Sequence, residues 1–210
     1  SEGTLTELLT APYTFLDPAL EKFYGEEASG DVEVDGFVRA DAPGRRYGLL
    51  TQGSLLSVHA KPNEGSPIHR GKMVRERLLC ETLPRPPADL VVDPPPVDAA
   101  LSERDRYAAH ASVEPCRSCH RLIEPVGFAF SFYDGVGRYR TEEAGAPIDA
   151  SGEVVGTRHS DGVFDDLGGL ARQLARSPDV HACFVERWTR WSFGLGREDG
   201  LACLLEDLED

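Results

Sequence analysis

The sequence predicts a mainly helical fold with one small β-hairpin and a helical C-terminal lobe, on three observations. Apolar residues recur at helical spacing over Leu49–Val58 and again late in the chain, where Leu167, Leu170 and Leu174 share one face and Phe184, Trp188 and Trp191 stand at i, i+4 and i+7. Helix-start residues recur: Thr4 lies three before Glu7, Asp17 precedes Pro18, and Ser102 lies three before Asp105. The segment Tyr139–Ile148, with Ala144-Gly145 at its centre, has the turn chemistry of a hairpin.

Taken in order, residues 4–24 read as two short helices. The first is capped by Thr4; the second lies within Tyr13–Tyr24, with Asp17 as cap, Pro18 at its first position and Gly25 as stop. Residues 26–47 are rich in Gly and Asp, with a candidate strand at Val32–Val38. A helix over Leu49–Val58 runs into a Pro/Gly loop at 60–67. A second helix, Ile68–Leu79, carries Arg70, Lys72, Arg75 and Arg77. Residues 84–98 hold six prolines, which no helix or central strand tolerates, so they read as an extended strap. A helix over 102–111 follows, then the aromatic run Gly127–Asp134 and the hairpin. The remainder reads as helical: one helix is ended by Gly194 and Gly196, and a last one spans about residues 201–208.

The 210 residues suffice for a real core, and no apolar run approaches the roughly 20 residues that cross a bilayer. Ser1-Glu-Gly-Thr4 has no basic, then apolar, leader, so the chain is expected to be a fragment or mature product of a longer exported precursor. A net charge of −14 argues against nucleic acid as a partner; it suits a soluble surface or attraction of a basic partner protein.

Residues 116–120 read Cys-Arg-Ser-Cys-His, the pattern that attaches haem c. Two thiols at this spacing form thioethers to one porphyrin edge, and the adjacent histidine reaches the iron. With five Cys and six His in the chain, chance yields about 0.003 such strings. Structural zinc usually needs a second ligand pair at comparable spacing, which this chain lacks, and a thioredoxin-like pair needs a βαβ setting and no following His. Cys183 and Cys203, both among helical residues, are the expected disulfide of an oxidising compartment. Cys80 is then a small buried hydrophobe, with a disulfide to a partner or a thiolate on iron as minor alternatives.

The stretch Gly48–Gly156 resembles a family of cytochrome-like domains of unknown function, found in large exported proteins of planctomycetes and myxobacteria. The residues that carry the resemblance are Gly48-Leu-Leu-Thr-Gln-Gly-Ser54, Ser66-Pro-Ile-His-Arg-Gly-Lys-Met-Val-Arg-Glu76, the haem motif with Pro125–Arg140, and Pro147-Ile-Asp-Ala-Ser-Gly152. The tail looks like the helical module that usually follows, and the first 25 residues like the end of the one that usually precedes. The resemblance implies three parts: 1–47 as the end of a preceding module, 48–157 as the c-type haem domain including the strap 84–98, and 158–210 as a C-terminal helical module. Many relatives carry Met where this chain has Ile123, so no thioether ligand is available there.

The full expectation is therefore a cytochrome-c-like haem core with a small β-hairpin and a C-terminal helical lobe, exported to the periplasm or beyond. Its expected function is electron transfer through one covalent haem, served by a redox partner protein and by neighbouring domains of the same precursor. Cys116, Cys119 and His120 hold the haem. Arg70 and Arg138 are candidate propionate partners, and Phe128, Phe130, Phe132 and Tyr133 candidate walls. For the sixth iron position the candidates are His59, beside the loop 60–67, and His110, which the resemblance also favours. Met73 ranks lower, because its place on an apolar helix face suits core packing. Two rival readings remain: a peroxidase-like haem oxidoreductase with an open sixth position, and a non-redox interaction module with a structural metal or disulfide at Cys116/Cys119.

Overall fold

The computed structural model describes residues 3–30, 32–84, 98, 100–110 and 116–196, with backbone only for Ala109, His110 and Cys116. Thr4 Oγ1 accepts the Glu7 N–H at 3.1 Å and starts α1 (Leu5–Thr10). The chain is then extended. β1 (Tyr13–Leu16) pairs antiparallel with β3 (Phe37–Asp41), in a register from Tyr13↔Asp41 to Leu16↔Val38. The second helix begins at Pro18, as its Asp17 cap predicts, but Tyr13–Leu16, read with the helical segment, is a strand. The aromatic and β-branched run Tyr13-Thr-Phe15 favours a pleated surface, and its side chains alternate, with Thr14 and Leu16 buried and Phe15 exposed. α2 (Pro18–Tyr24) follows: Asp17 accepts the Leu20 N–H at 2.8 Å, and Gly25 ends it at φ +65°. The candidate strand Val32–Val38 is a tight hairpin, with β2 (Glu33–Val34) returning through Asp35-Gly36 into β3.

The expected helix Leu49–Val58 divides into a 3₁₀ turn, Gly48–Thr51, and α3 (Gly53–Val58), with Gln52 extended between them. Ser66 caps α4 (Pro67–Met73), which continues as a π turn over Val74–Leu78. α5 (Glu103–His110) and α6 (Cys116–Phe128) come next. The predicted hairpin is present as β4 (Glu142–Glu143) and β5 (Ala146–Pro147), turned by Ala144 and Gly145 at positive φ. The expectation that the rest is helical fails at a second hairpin, β6 (Gly152–Val154) with β7 (Gly162–Phe164). Asp161 closes its loop by accepting the N–H groups of Gly156 and Thr157. α7 (Leu167–Ala175), capped by Asp166, and α8 (Pro178–Phe193), capped by Ser177, complete the described chain.

One hydrophobic cluster joins the early, middle and late parts: Leu9, Leu50, Leu56, Val126, Phe130, Leu167, Leu170 and Leu174 are all essentially inaccessible to water. Truncating one such leucine typically costs 2–5 kcal/mol. The stripe Phe184, Trp188 and Trp191 lies on the opposite, exposed side of α8. The strap 84–98 lies outside the described residues except Pro84 and Asp98, as does the helix expected at 201–208.

α6 is held from three directions. α4 crosses it at a contact built on glycines: a Cβ at Gly71 would overlap the Ile123 carbonyl, and one at Gly127 would overlap the Pro67 carbonyl. From the π turn, buried Arg75 donates to the carbonyls of Leu122 (2.8 Å) and Val155 (2.6 Å) and pairs with Glu81 (2.8 Å). From α5, the Arg104 guanidinium lies 4.4 Å from the centre of the Phe128 ring and donates to the Asp149 carbonyl at 3.2 Å. The cysteine pairing also differs from expectation. Cys80 is bonded to Cys183, with Cα atoms 5.4 Å apart, and Cys203 lies outside the described residues. Sequence proximity suggested Cys203, but folding brings the end of the π turn against α8.

Candidate functional site

The motif begins α6, so Cys116, Cys119 and His120 stand at i, i+3 and i+4 and share one face of the helix. The helix forms there because Ile123 and Val126 supply a buried side while Arg117, Ser118 and Arg121 stay in water. Pro125 removes one N–H from the ladder, and Arg75 binds the Leu122 carbonyl beside that interruption.

Cys119 is a half-buried free thiol. His120 is also half-buried, and its Nδ1 lies 2.7 Å from Oε1 of Glu124, one turn further along α6. Glu124 is buried, at 5% exposure. Donation of Nδ1–H to that carboxylate would make Nε2 the nitrogen that ligates a metal. This donor set fits haem c: a free thiol, the adjacent imidazole held against a carboxylate, and a second cysteine three residues earlier in the helix. The side chains of Cys116 and His110 lie outside the described residues.

The two arginines expected at the propionates have other work. Arg70, 1% exposed, donates to the carbonyls of Tyr133 (2.7 Å), Asp134 (2.6 Å), Phe130 (3.3 Å) and Leu56 (3.4 Å). Burial lowers its pKa to about 10. Arg138 donates to the Phe23 carbonyl at 3.2 Å and covers the Phe23 ring at 4.1 Å, tying the N-terminal segment to the loop after α6. Phe128 is buried beneath Arg104, and Phe130 is in the core. Phe132 stacks on Tyr139 at 5.6 Å, and Tyr133, also buried, donates its hydroxyl to the Arg45 carbonyl at 2.6 Å.

His59 ends α3 and is partly buried. Burial, with the nearby His69, Arg77 and Arg70, lowers its pKa, which favours the neutral imidazole a metal would need. Met73 is a core residue at 4% exposure. His159 pairs with Asp179 at 3.1 Å, and His181 donates from Nε2 to the Ala175 carbonyl at 3.0 Å. Among the described residues, no three His, Cys, Asp or Glu side chains converge as a metal site. A cleft of about 590 Å³ lies beside the disulfide, lined by Arg75, Cys80, Leu122, Arg158 and Asp179 among others; Cys119, His120 and Glu124 are not in its lining.

Sequence reasoning missed Glu124 and Arg104. Glu124 was detectable, because i+4 from a histidine on a helix is contact distance. Arg104 was not, since its partners Phe128 and Asp149 are distant in sequence.

A family model described as a protein of unknown function (PSCyt3, DUF1588) matches residues 46–143, somewhat under half of the chain. The matched span contains the motif, Arg70 and Glu124, and overlaps most of the stretch whose residues carry the resemblance noted above. No curated protein and no solved structure matches the chain.

Proposed function

We propose that this chain holds one haem c through Cys116 and Cys119, with His120 on the iron, and passes single electrons in an exported protein. The observation that carries this reading is the complete Cys-x-x-Cys-His string at the start of α6, with Cys119 free while Cys80 and Cys183 bond to each other. Bound haem supplies the redox couple. The chain's own part is to hold the thiols and imidazole on a helix fixed by α4, Arg75 and Arg104, so that little rearranges when charge changes. An intrachain disulfide suits the oxidising compartment in which haem is attached. His59 and His110 remain the candidates that would supply a further iron ligand. A second imidazole there would place the potential below that of a His/Met pair. The redox partner is a protein, drawn to a surface of net charge −14 if it is basic.

The test is an absorption spectrum, oxidised and reduced, of protein exported from a host competent in covalent haem attachment. Low-spin, six-coordinate haem supports the electron carrier. High-spin haem that takes up cyanide or peroxide moves the assignment to an oxidoreductase with an open site, and colourless, zinc-containing protein moves it to a structural metal module. His120→Ala is expected to keep the covalent haem and lose the native low-spin bands. Unchanged bands in that variant would remove His120 from the iron.

A further inference from the structure

We infer that Glu124 is the positioning residue for His120: its buried carboxylate accepts the Nδ1–H hydrogen bond, fixes the ring's tautomer and rotation, and biases the haem toward the ferric state. The inference rests on the haem reading and deepens it. The geometry is direct: Oε1 is 2.7 Å from Nδ1, and both groups stand one turn apart on the rigid helix that begins with the motif.

A merely solubilising glutamate would point to water, as Glu142 on its hairpin edge does. Glu124 instead has only 6% of its side chain exposed, and a carboxylate so removed from water needs a charge-assisted partner. The imidazole N–H is such a partner. It serves the ring in turn: a ligand histidine commonly donates its second nitrogen to a carbonyl or carboxylate, which sets the tautomer and raises the basicity of the ligating nitrogen. A full carboxylate does this more strongly than a backbone carbonyl, since it draws the Nδ1 proton toward itself and leaves more electron density on Nε2. That density stabilises the higher iron charge. Glu124 touches neither iron nor porphyrin in this account; it acts through His120.

The experiment compares wild-type protein with Glu124→Gln and Glu124→Leu, all exported with covalent haem, by redox titration. Gln keeps shape and an acceptor oxygen but removes the charge. In Glu124→Gln, the ferrous-to-ferric ratio measured at the wild-type midpoint is expected to rise from one to roughly ten, the factor that corresponds to about 1.4 kcal/mol. Leu, which also removes the acceptor, is expected to shift the ratio further and to broaden the low-spin bands. A merely structural glutamate would alter the melting temperature and leave the ratio at one; that result overturns the inference. If Glu124→Gln fails to accumulate, the wild type itself answers. Ferrous low-spin protein labelled with ¹⁵N-histidine is expected to show a His120 Nδ1 proton shifted downfield and slow to exchange, whereas a rapidly exchanging proton at an ordinary shift counts against Glu124. Wild-type protein with no covalent haem overturns the haem reading itself, a result distinct from haem bound with an unmoved ratio.

Discussion

Arg70 shows how one side chain can decide a local fold. The turn after α6 leaves carbonyls that no helical N–H can reach, and the guanidinium meets Phe130, Tyr133 and Asp134 there, with Leu56 from the end of α3. Its five donors, spread over a planar fork, span carbonyls from two separate segments, where a lysine offers three donors from one nitrogen. Arg70→Met is therefore expected to cost about 3–5 kcal/mol, read as a drop in urea midpoint, because the Tyr133 and Leu56 carbonyls lose the guanidinium while those of Phe130 and Asp134 keep only the N–H groups of Tyr133 and Gly137. A loss below about 1 kcal/mol would mean that water takes over the role. Beside it, Glu103 at 4% exposure carries the opposite strain. Burial pushes its carboxyl above the ordinary range, and the attraction of Arg70 offsets this only in part. The folded state then holds the proton more tightly than the unfolded chain. That contribution to stability is present below the unfolded value, about 4.3, and is lost as pH rises through the raised folded value. Glu103→Gln is expected to be more stable than wild type at pH 8 and equal to it near pH 3.5; parallel stability curves across that range would refute the assignment. The Cys-x-x-Cys-His string was legible at this scale, but Arg70's role was not, because its acceptors are backbone atoms 14 to 64 residues away.

At the scale of elements, the site helix depends on an absence of side chains. α4 approaches α6 so closely that the carbonyls of Ile123 and Pro67 occupy the positions where Cβ atoms of Gly71 and Gly127 would lie. Gly127→Ala must push α4 away or bend α6. The expected cost is about 2–4 kcal/mol, although alanine is the better helix former by about 1 kcal/mol. Chemical denaturation measures it, and a stabilised variant would show that the crossing relaxes freely. The helix starts at Thr4, Asp17 and Ser102 were legible because caps are local, each accepting an N–H three residues on; Ser66, Asp166 and Ser177 cap in the same way but were not singled out in the sequence. The strands were less so. β6 and β7 have three residues each, too few for a period of two to register, and β1 was read as helix because its partner strand lies some 25 residues away. Phe184, Trp188 and Trp191 keep helical spacing yet face outward, since a period reports a stripe and not which side of it is covered.

For the whole molecule, the Cys80–Cys183 bond sets the largest constraint. It joins residues 103 apart, and the enclosed loop contains α5 and all of α6 with its Cys-x-x-Cys-His string. Closing a loop of that size in the unfolded chain restricts it strongly, and the chain-entropy relation gives about 4–5 kcal/mol. The pairing was hidden from sequence because three thiols outside the motif allow several partners, and spacing alone does not choose among them. Its consequence for function follows from which thiols remain. With Cys80 and Cys183 bonded to each other, Cys119 stays a free thiol, as the proposed thioether requires. The double variant Cys80→Ser/Cys183→Ser is therefore expected to lose about 4–5 kcal/mol of stability, seen as a lower denaturant midpoint, while its yield of covalent haem per folded molecule equals that of wild type. The single variant Cys80→Ser is expected to do worse on the second count. It leaves Cys183 as an unpaired thiol that competes for Cys116 or Cys119 before haem arrives, so haem yield falls and mixed disulfides appear on a non-reducing gel. Equal haem yield in the single and double variants would mean that the cross-link stabilises the fold without protecting the motif. An unchanged midpoint in the double variant would mean that the two sulfurs are not bonded in the folded protein.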